Sequence, residues 1–148
     1  MAGPIVLAEG EGEELRARGS ILLFKAVAAT TGGAFSLHER IVPPGGRRPP
    51  AHRHTDCVEA FYVVGGLAEI VAGDERVQGG VGTFVLVPGG VPHTFGNAGR
   101  EPARVLVLHS PAMDDYFREL EDLWAGEGPP ARSAELELMR RHGMEPVE

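Results

Sequence analysis

The chain has 148 residues, 43% of them hydrophobic and 24% charged, which suits one domain with a real core and is too short for two ordinary ones. Its net charge of −7, from 14 basic and 21 acidic residues, argues against a basic nucleic-acid binder. The sequence has no run of about 18 apolar residues to span a membrane. With 21 Gly and 12 Pro against 6% aromatics, it reads as many short strands rather than long helices.

Cys57 is the only cysteine, so no intrachain disulfide can form and a reducing compartment is expected. Residues 1–10 carry no basic leader region and run into Glu11, Glu13 and Glu14. The expectation is a cytoplasmic protein.

In chain order, Ile5–Ala8 is a short edge-strand candidate and Ile21–Ala29 a longer apolar run. Residues 35–42 alternate in part, with Phe35, Leu37 and Ile41 on one face and Ser36, His38 and Arg40 on the other. Pro43-Pro44-Gly45-Gly46 stops that run. Glu59–Val64 and Leu67–Ala72 flank Gly65-Gly66, which reads as a hairpin. Gly73-Asp74-Glu75 is the next turn. Thr83–Val87, Val91–Phe95 and Arg104–His109 complete eight or nine strands, spaced as in a sandwich or barrel.

The chain changes character at Ser110. Ser110 as cap, Pro111 at the first helical position and Asp114 and Asp115 in the first turn predict a helix. Met113, Tyr116, Phe117, Leu120, Leu123 and Trp124 form its apolar stripe, expected in the core or at a dimer contact. Gly126 to Pro130 breaks the helix, and Ser133–His142 reads as a second one stopped by Gly143. Residues 111–148 hold ten acids and four bases, an acidic helical extension expected to pack outside the β unit.

The chemistry concentrates in two segments. His52 and His54 fall on one face of an extended chain. Glu59 has the opposite parity and rejoins that face only through a bend or bulge at Thr55-Asp56. His93 follows the turn Pro88 to Pro92. Three imidazoles and one carboxylate on neighbouring strands suit a divalent first-row metal.

The first segment reads G-x5-H-x-H-x4-E-x6-G over residues 46–66, and the second G-x5-P-x-G-x2-H-x3-N over 82–97. Together they resemble the two motifs of the cupin superfamily, in order, with the short spacer of small microbial members. The arrangement is similar to single-domain, quercetin-dioxygenase-like cupins. The resemblance implies an all-β, conical jelly-roll barrel spanning one domain over 1–148, with one or two C-terminal helices outside. It implies one divalent transition metal (Fe, Mn, Ni, Cu or Zn) held by His52, His54, Glu59 and His93. Gly46 and Gly66 are expected to supply the unusual backbone angles at the ends of the first motif, and Asn97 to bond across the loop of the second.

Glu59 is the candidate catalytic residue, as a ligand that can also accept a proton. Phe61, Val63 and Phe95 share parity with the ligands and are candidates for an apolar inner wall. His38 and His109 are further pocket candidates. Cys57 reads as a small buried hydrophobe.

A mixed imidazole and carboxylate site with open positions supplies Lewis acidity and a template for an anionic oxygen. The first functional reading is an O2-dependent dioxygenase acting on an enolisable or phenolic substrate. The alternatives are a non-redox isomerase, lyase or cyclase, and a metal-bound barrel that binds a small molecule without turnover. Nucleic acid and membrane are not expected partners. The resemblance suggests a homodimer, and the apolar Ile5–Ala8 and Ile21–Ala29 fit surfaces that need a partner.

Overall fold

The computed structural model describes residues 3–147. Its strands form two antiparallel sheets. The larger sheet has the order β1 (Glu13–Ala17), β2 (Ser20–Ala26), β3 (Ser36–Val42), β10 (Ala103–Ser110), β5 (Val58–Gly65) and β8 (Phe84–Val87). The smaller has the order β11 (Met144–Pro146), β4 (His52–His54), β9 (His93–Asn97), β6 (Ala68–Ala72) and β7 (Glu75–Gly79). Successive strands from β3 onward alternate between sheets except at the β6–β7 hairpin, which makes the barrel a jelly roll. The helices are α1 (Ala28–Thr31), α2 (Asp114–Trp124) and α3 (Arg132–Arg141).

Several predicted elements differ. Ile5–Ala8 is not a strand, and Ile5 and Val6 lie exposed. The edge strand is β1, whose charged outer face hid its period. It joins β2 through Arg18-Gly19, both at positive φ (54° and 78°), a turn that twists with the strands. The run from Ile21 ends as β2 at Ala26, between β1 and β3, with Leu22 and Phe24 already buried. It therefore needs no second copy to cover it.

Gly65-Gly66 is not a hairpin. Strand β5 pairs with β10 and β8, and β6 with β7 and β9, so the two glycines carry the chain from one sheet to the other. Gly66 sits at φ +71°, and a Cβ there would lie 2.5 Å from Pro102 O. Gly66→Ala is expected to cost more than the ~1–2 kcal/mol of the left-handed conformation alone, read as a lower urea midpoint at unchanged m-value. At the other end of the motif the positive φ falls on Gly45 (70°) rather than Gly46. Asn97 Nδ2 donates to Val42 O and Glu101 O, clamping the loop after β9 rather than the one before it.

The interior has two apolar regions. One lies between the sheets around Phe61, Val63, Ile70, Val105 and Phe95. The other joins β1 and β2 to the C-terminal extension, where Leu15, Leu22 and Phe24 meet Tyr116, Phe117, Leu120 and Met139. Helix α2 begins at Asp114 after Met113, without a side-chain cap. Ser110 does not cap it, because its hydroxyl donates to Ala34 O at 2.8 Å. The extension is more than an outer layer. Its stripe closes one end of the barrel, and β11, which the sequence pattern did not reveal, pairs with β4.

Candidate metal centre

Position in the ladders explains how the functional side chains converge. On β5 the inward residues are Glu59, Phe61 and Val63, and on β10 they are Ala103, Val105, Val107 and His109. The register sets His109 opposite Glu59 and Val107 opposite Phe61. In the other sheet His52 pairs with His93. A bend at Thr55-Asp56 restores Glu59 to the inner face. Gly90 N–H donates to His54 O at 2.8 Å, tying the turn before His93 to the strand that carries His54.

His52, His54, Glu59 and His93 are all buried, and one donor atom from each lies within 4.8 Å of the others. His52 Nδ1–H donates to Pro50 O at 2.7 Å, and His93 Nδ1–H to Val91 O at 2.9 Å. Each bond fixes the tautomer and turns the Nε2 lone pair inward. His93 Nε2 then stands 2.8 Å from Glu59 Oε1. Two acceptors that close repel unless a cation is shared between them, either a proton on the line or a metal to one side of it, bonded to both at about 2.0–2.2 Å. The donor set therefore fits a divalent metal.

Glu59 Oε1 also meets His54 Nε2 at 2.9 Å and His109 Nε2 at 3.1 Å. Burial alone would raise the Glu59 pKa, but the charge and hydrogen bond of His109, with the bonds from His54 and His93, hold it well below the usual carboxylate range. Burial, reinforced by the charge of His93, lowers His52 to about 3. Burial also lowers His54, against its bond to Glu59. At His93 burial opposes the imidazolium, but the bond and charge of Glu59 outweigh it and the pKa is raised. Neutral His52 and His54 beside an ionised carboxylate are the protonation states a metal requires, and a bound metal would take the place of the proton that Glu59 favours on His93.

A cavity of about 20 Å³ adjoins the quartet, lined by His52, Glu59, Phe95 and His109 together with Arg18, Arg40, Tyr116, Phe117 and Met144. Of the predicted wall, Phe95 reaches the cavity. Phe61 packs behind it, ring centroids 5.1 Å apart, and Val63 lies deeper in the core. His109 lines the cavity. His38 sits behind it, 6.3 Å between ring centroids, with no partner for either ring nitrogen. The expectation of a mainly apolar wall fails, since Arg18, Arg40 and Tyr116 bring polar groups to it.

Sequence reasoning missed those three, along with Phe117 and Met144. The signal for Arg40 was present in the alternation of Ser36, His38 and Arg40. In this strand the polar face is the buried one, at 0, 0 and 3% exposure. Cys57 is buried and its thiol, desolvated and near Glu59, is pushed up to about 11, so it behaves as a hydrophobe.

Residues 38–109 match the family Cupin_2, described as a cupin domain. The chain belongs to the cupin superfamily. Over 139 residues, 94% of this cupin, it is 27% identical to quercetin 2,3-dioxygenase of Bacillus subtilis. The chain spans 41% and 50% of the lengths of the curated relatives it matches. Among solved structures, KdgF from Halomonas sp. is 18% identical with a TM-score of 0.65, covering 76% of this chain and 98% of that one. The polyketide cyclase RemF from Streptomyces resistomycificus is 23% identical with a TM-score of 0.62, covering 73% and 80%. These likenesses establish the jelly-roll fold. Among the described residues no helix is long and apolar enough to cross a membrane.

Proposed function

We propose that this cupin is a metal-dependent enzyme acting on a small molecule, with His52, His54, Glu59 and His93 holding one divalent first-row metal. The observation that carries this reading is the convergence of both motifs on one buried point, with two imidazole tautomers locked by Pro50 O and Val91 O. When bound, the metal supplies Lewis acidity and, if redox-active, a route to O2 chemistry. Glu59 accepts a proton at Oε1, where His109 Nε2 can stabilise either state. Phe117 and Tyr116 of α2 screen the reacting atoms from bulk water. The extension thus belongs to the same working unit as the barrel, residues 1–148.

The finer reading is an O2-dependent dioxygenase on a substrate that presents enolate or phenolate oxygens. The likeness to quercetin 2,3-dioxygenase along 94% of the chain supports it. A non-redox reading, metal-assisted proton transfer, draws support from Arg18, Arg40 and Tyr116 at the cavity wall, donors suited to an oxyanion.

His54→Ala is expected to lose close to a full equivalent of metal by elemental analysis relative to the unaltered protein. Retention would place the metal elsewhere. Oxygen uptake by Fe-, Mn-, Ni- and Cu-loaded protein with flavonols, β-diketones and catechols then separates the readings. Turnover that persists without O2 and with zinc selects proton transfer, and no uptake with any pairing removes the dioxygenase.

A further inference from the structure

Arg40 is a buried cation with no ion pair among the described residues. It is 3% exposed, and its Nε and Nη2 have no hydrogen-bond partner and no contact with solvent. Its ladder neighbours are Leu22 on one side and Val105 on the other, so neither directly paired residue offers an acceptor side chain, and Glu59 and Glu135 act on it through charge without a hydrogen bond. Arg18, a basic group on the same cavity, is already satisfied by Glu135 at 2.7 Å and by Tyr116 Oη at 3.1 Å. Burial and the charge of Arg18, against the charges of Tyr116, Glu59 and Glu135, bring the Arg40 pKa down to about 9.

The guanidinium is held in place, with Cζ 5.2 Å from the centre of the Phe95 ring, and both residues line the cavity beside Glu59. A dry guanidinium with open donors is strongly unfavourable unless an anion completes it. Its planar fork matches a carboxylate through two parallel hydrogen bonds.

We propose that Arg40 is a carboxylate anchor: the substrate is a small carboxylic acid whose carboxylate pairs with Arg40 while a second oxygen of the same molecule faces His52, His54, Glu59 and His93. This rests on the metal reading above and gives it a substrate class. The space of about 20 Å³ is the size of roughly one water, smaller than a carboxylate, so binding requires α2 or a lining side chain to shift.

Formate and formamide are suitable probes, being alike in size and different in charge. Binding is measured by calorimetry at low chloride on protein stripped with EDTA, so that no metal can ligate formate. Formate is expected to bind at least ~10-fold more tightly than formamide, the scale of a charge-assisted bond. Arg40→Gln is expected to equalise the two probes while leaving zinc stoichiometry unchanged.

Arg40→Met guards against a purely structural role. Removing an unpaired buried cation is expected to raise the melting temperature of the metal-free protein, whereas a structural arginine would lower it. A formate preference that survives both variants, a lower melting temperature in Arg40→Met, or chloride competing as well as formate overturns the anchor. One equivalent of zinc with no formate preference removes the anchor and leaves the metal reading. An Arg40-dependent formate preference without zinc binding removes the metal reading, and with it the assignment of formate's site to a metal substrate.

Discussion

A chain ended at Ser110 is expected not to fold, although it keeps both motifs and all four candidate ligands. The cut removes Tyr116, Phe117, Leu120, Leu138, Met139 and Met144, all buried. Side chains of that size contribute about 1.5–3 kcal/mol each when fully buried. Together they match the whole stability of a typical domain, about 5–15 kcal/mol. The same cut bares Leu15, Leu22 and Phe24 on β1 and β2. It also leaves Arg18, 2% exposed, without Glu135 and Tyr116. Strand β4 would lose Met144 and Pro146 as partners of His54 and His52, keeping a single registered pair with β9. Circular dichroism and soluble yield check the expectation, and a soluble product with a cooperative melt would overturn it.

The ligand quartet was legible because its signal is local. A two-residue parity sets His52 beside His54, a bend returns Glu59, and fixed glycines and prolines punctuate the rest. Residues whose role depends on what covers them were not legible. Phe117 reads as an ordinary helical stripe residue, and only the packing of α2 against β1 and β2 turns it toward the cavity. Arg40 was hidden by the ordinary rule that charged residues face water, a rule that fails here because its face of β3 points into the interior, where Arg40 lines the cavity. Strand β11 is three residues long and carries no period of its own. It exists because β4 offers an open edge.

The Gly65-Gly66 error has a different origin. Two apolar runs around a glycine pair look alike whether the chain turns back on itself or crosses to a facing sheet. The difference lies in which strands accept the backbone hydrogen bonds, and those partners, β10 and β9, are tens of residues away.

Phe117→Ala is expected to lower the unfolding free energy by about 3–5 kcal/mol, the range for an aromatic ring removed from a packed interior. The ring is 5% exposed, with centroids 5.8 Å from Phe24, 5.0 Å from His38 and 5.5 Å from His109. Strands β2, β3 and β10 pair with one another and cannot close the gap from below. Phe117→Leu retains most of the volume and is expected to cost ~1 kcal/mol, which urea unfolding will separate from the alanine variant. None of His52, His54, Glu59 or His93 has a ring contact with Phe117, so metal stoichiometry is expected to hold at its unaltered value. The space vacated joins the cavity of about 20 Å³, and propionate, too large for the intact site, is expected to bind the alanine variant more tightly than the parent. Loss of metal in Phe117→Ala would show instead that α2 buttresses the quartet itself, through His109 and its bond to Glu59.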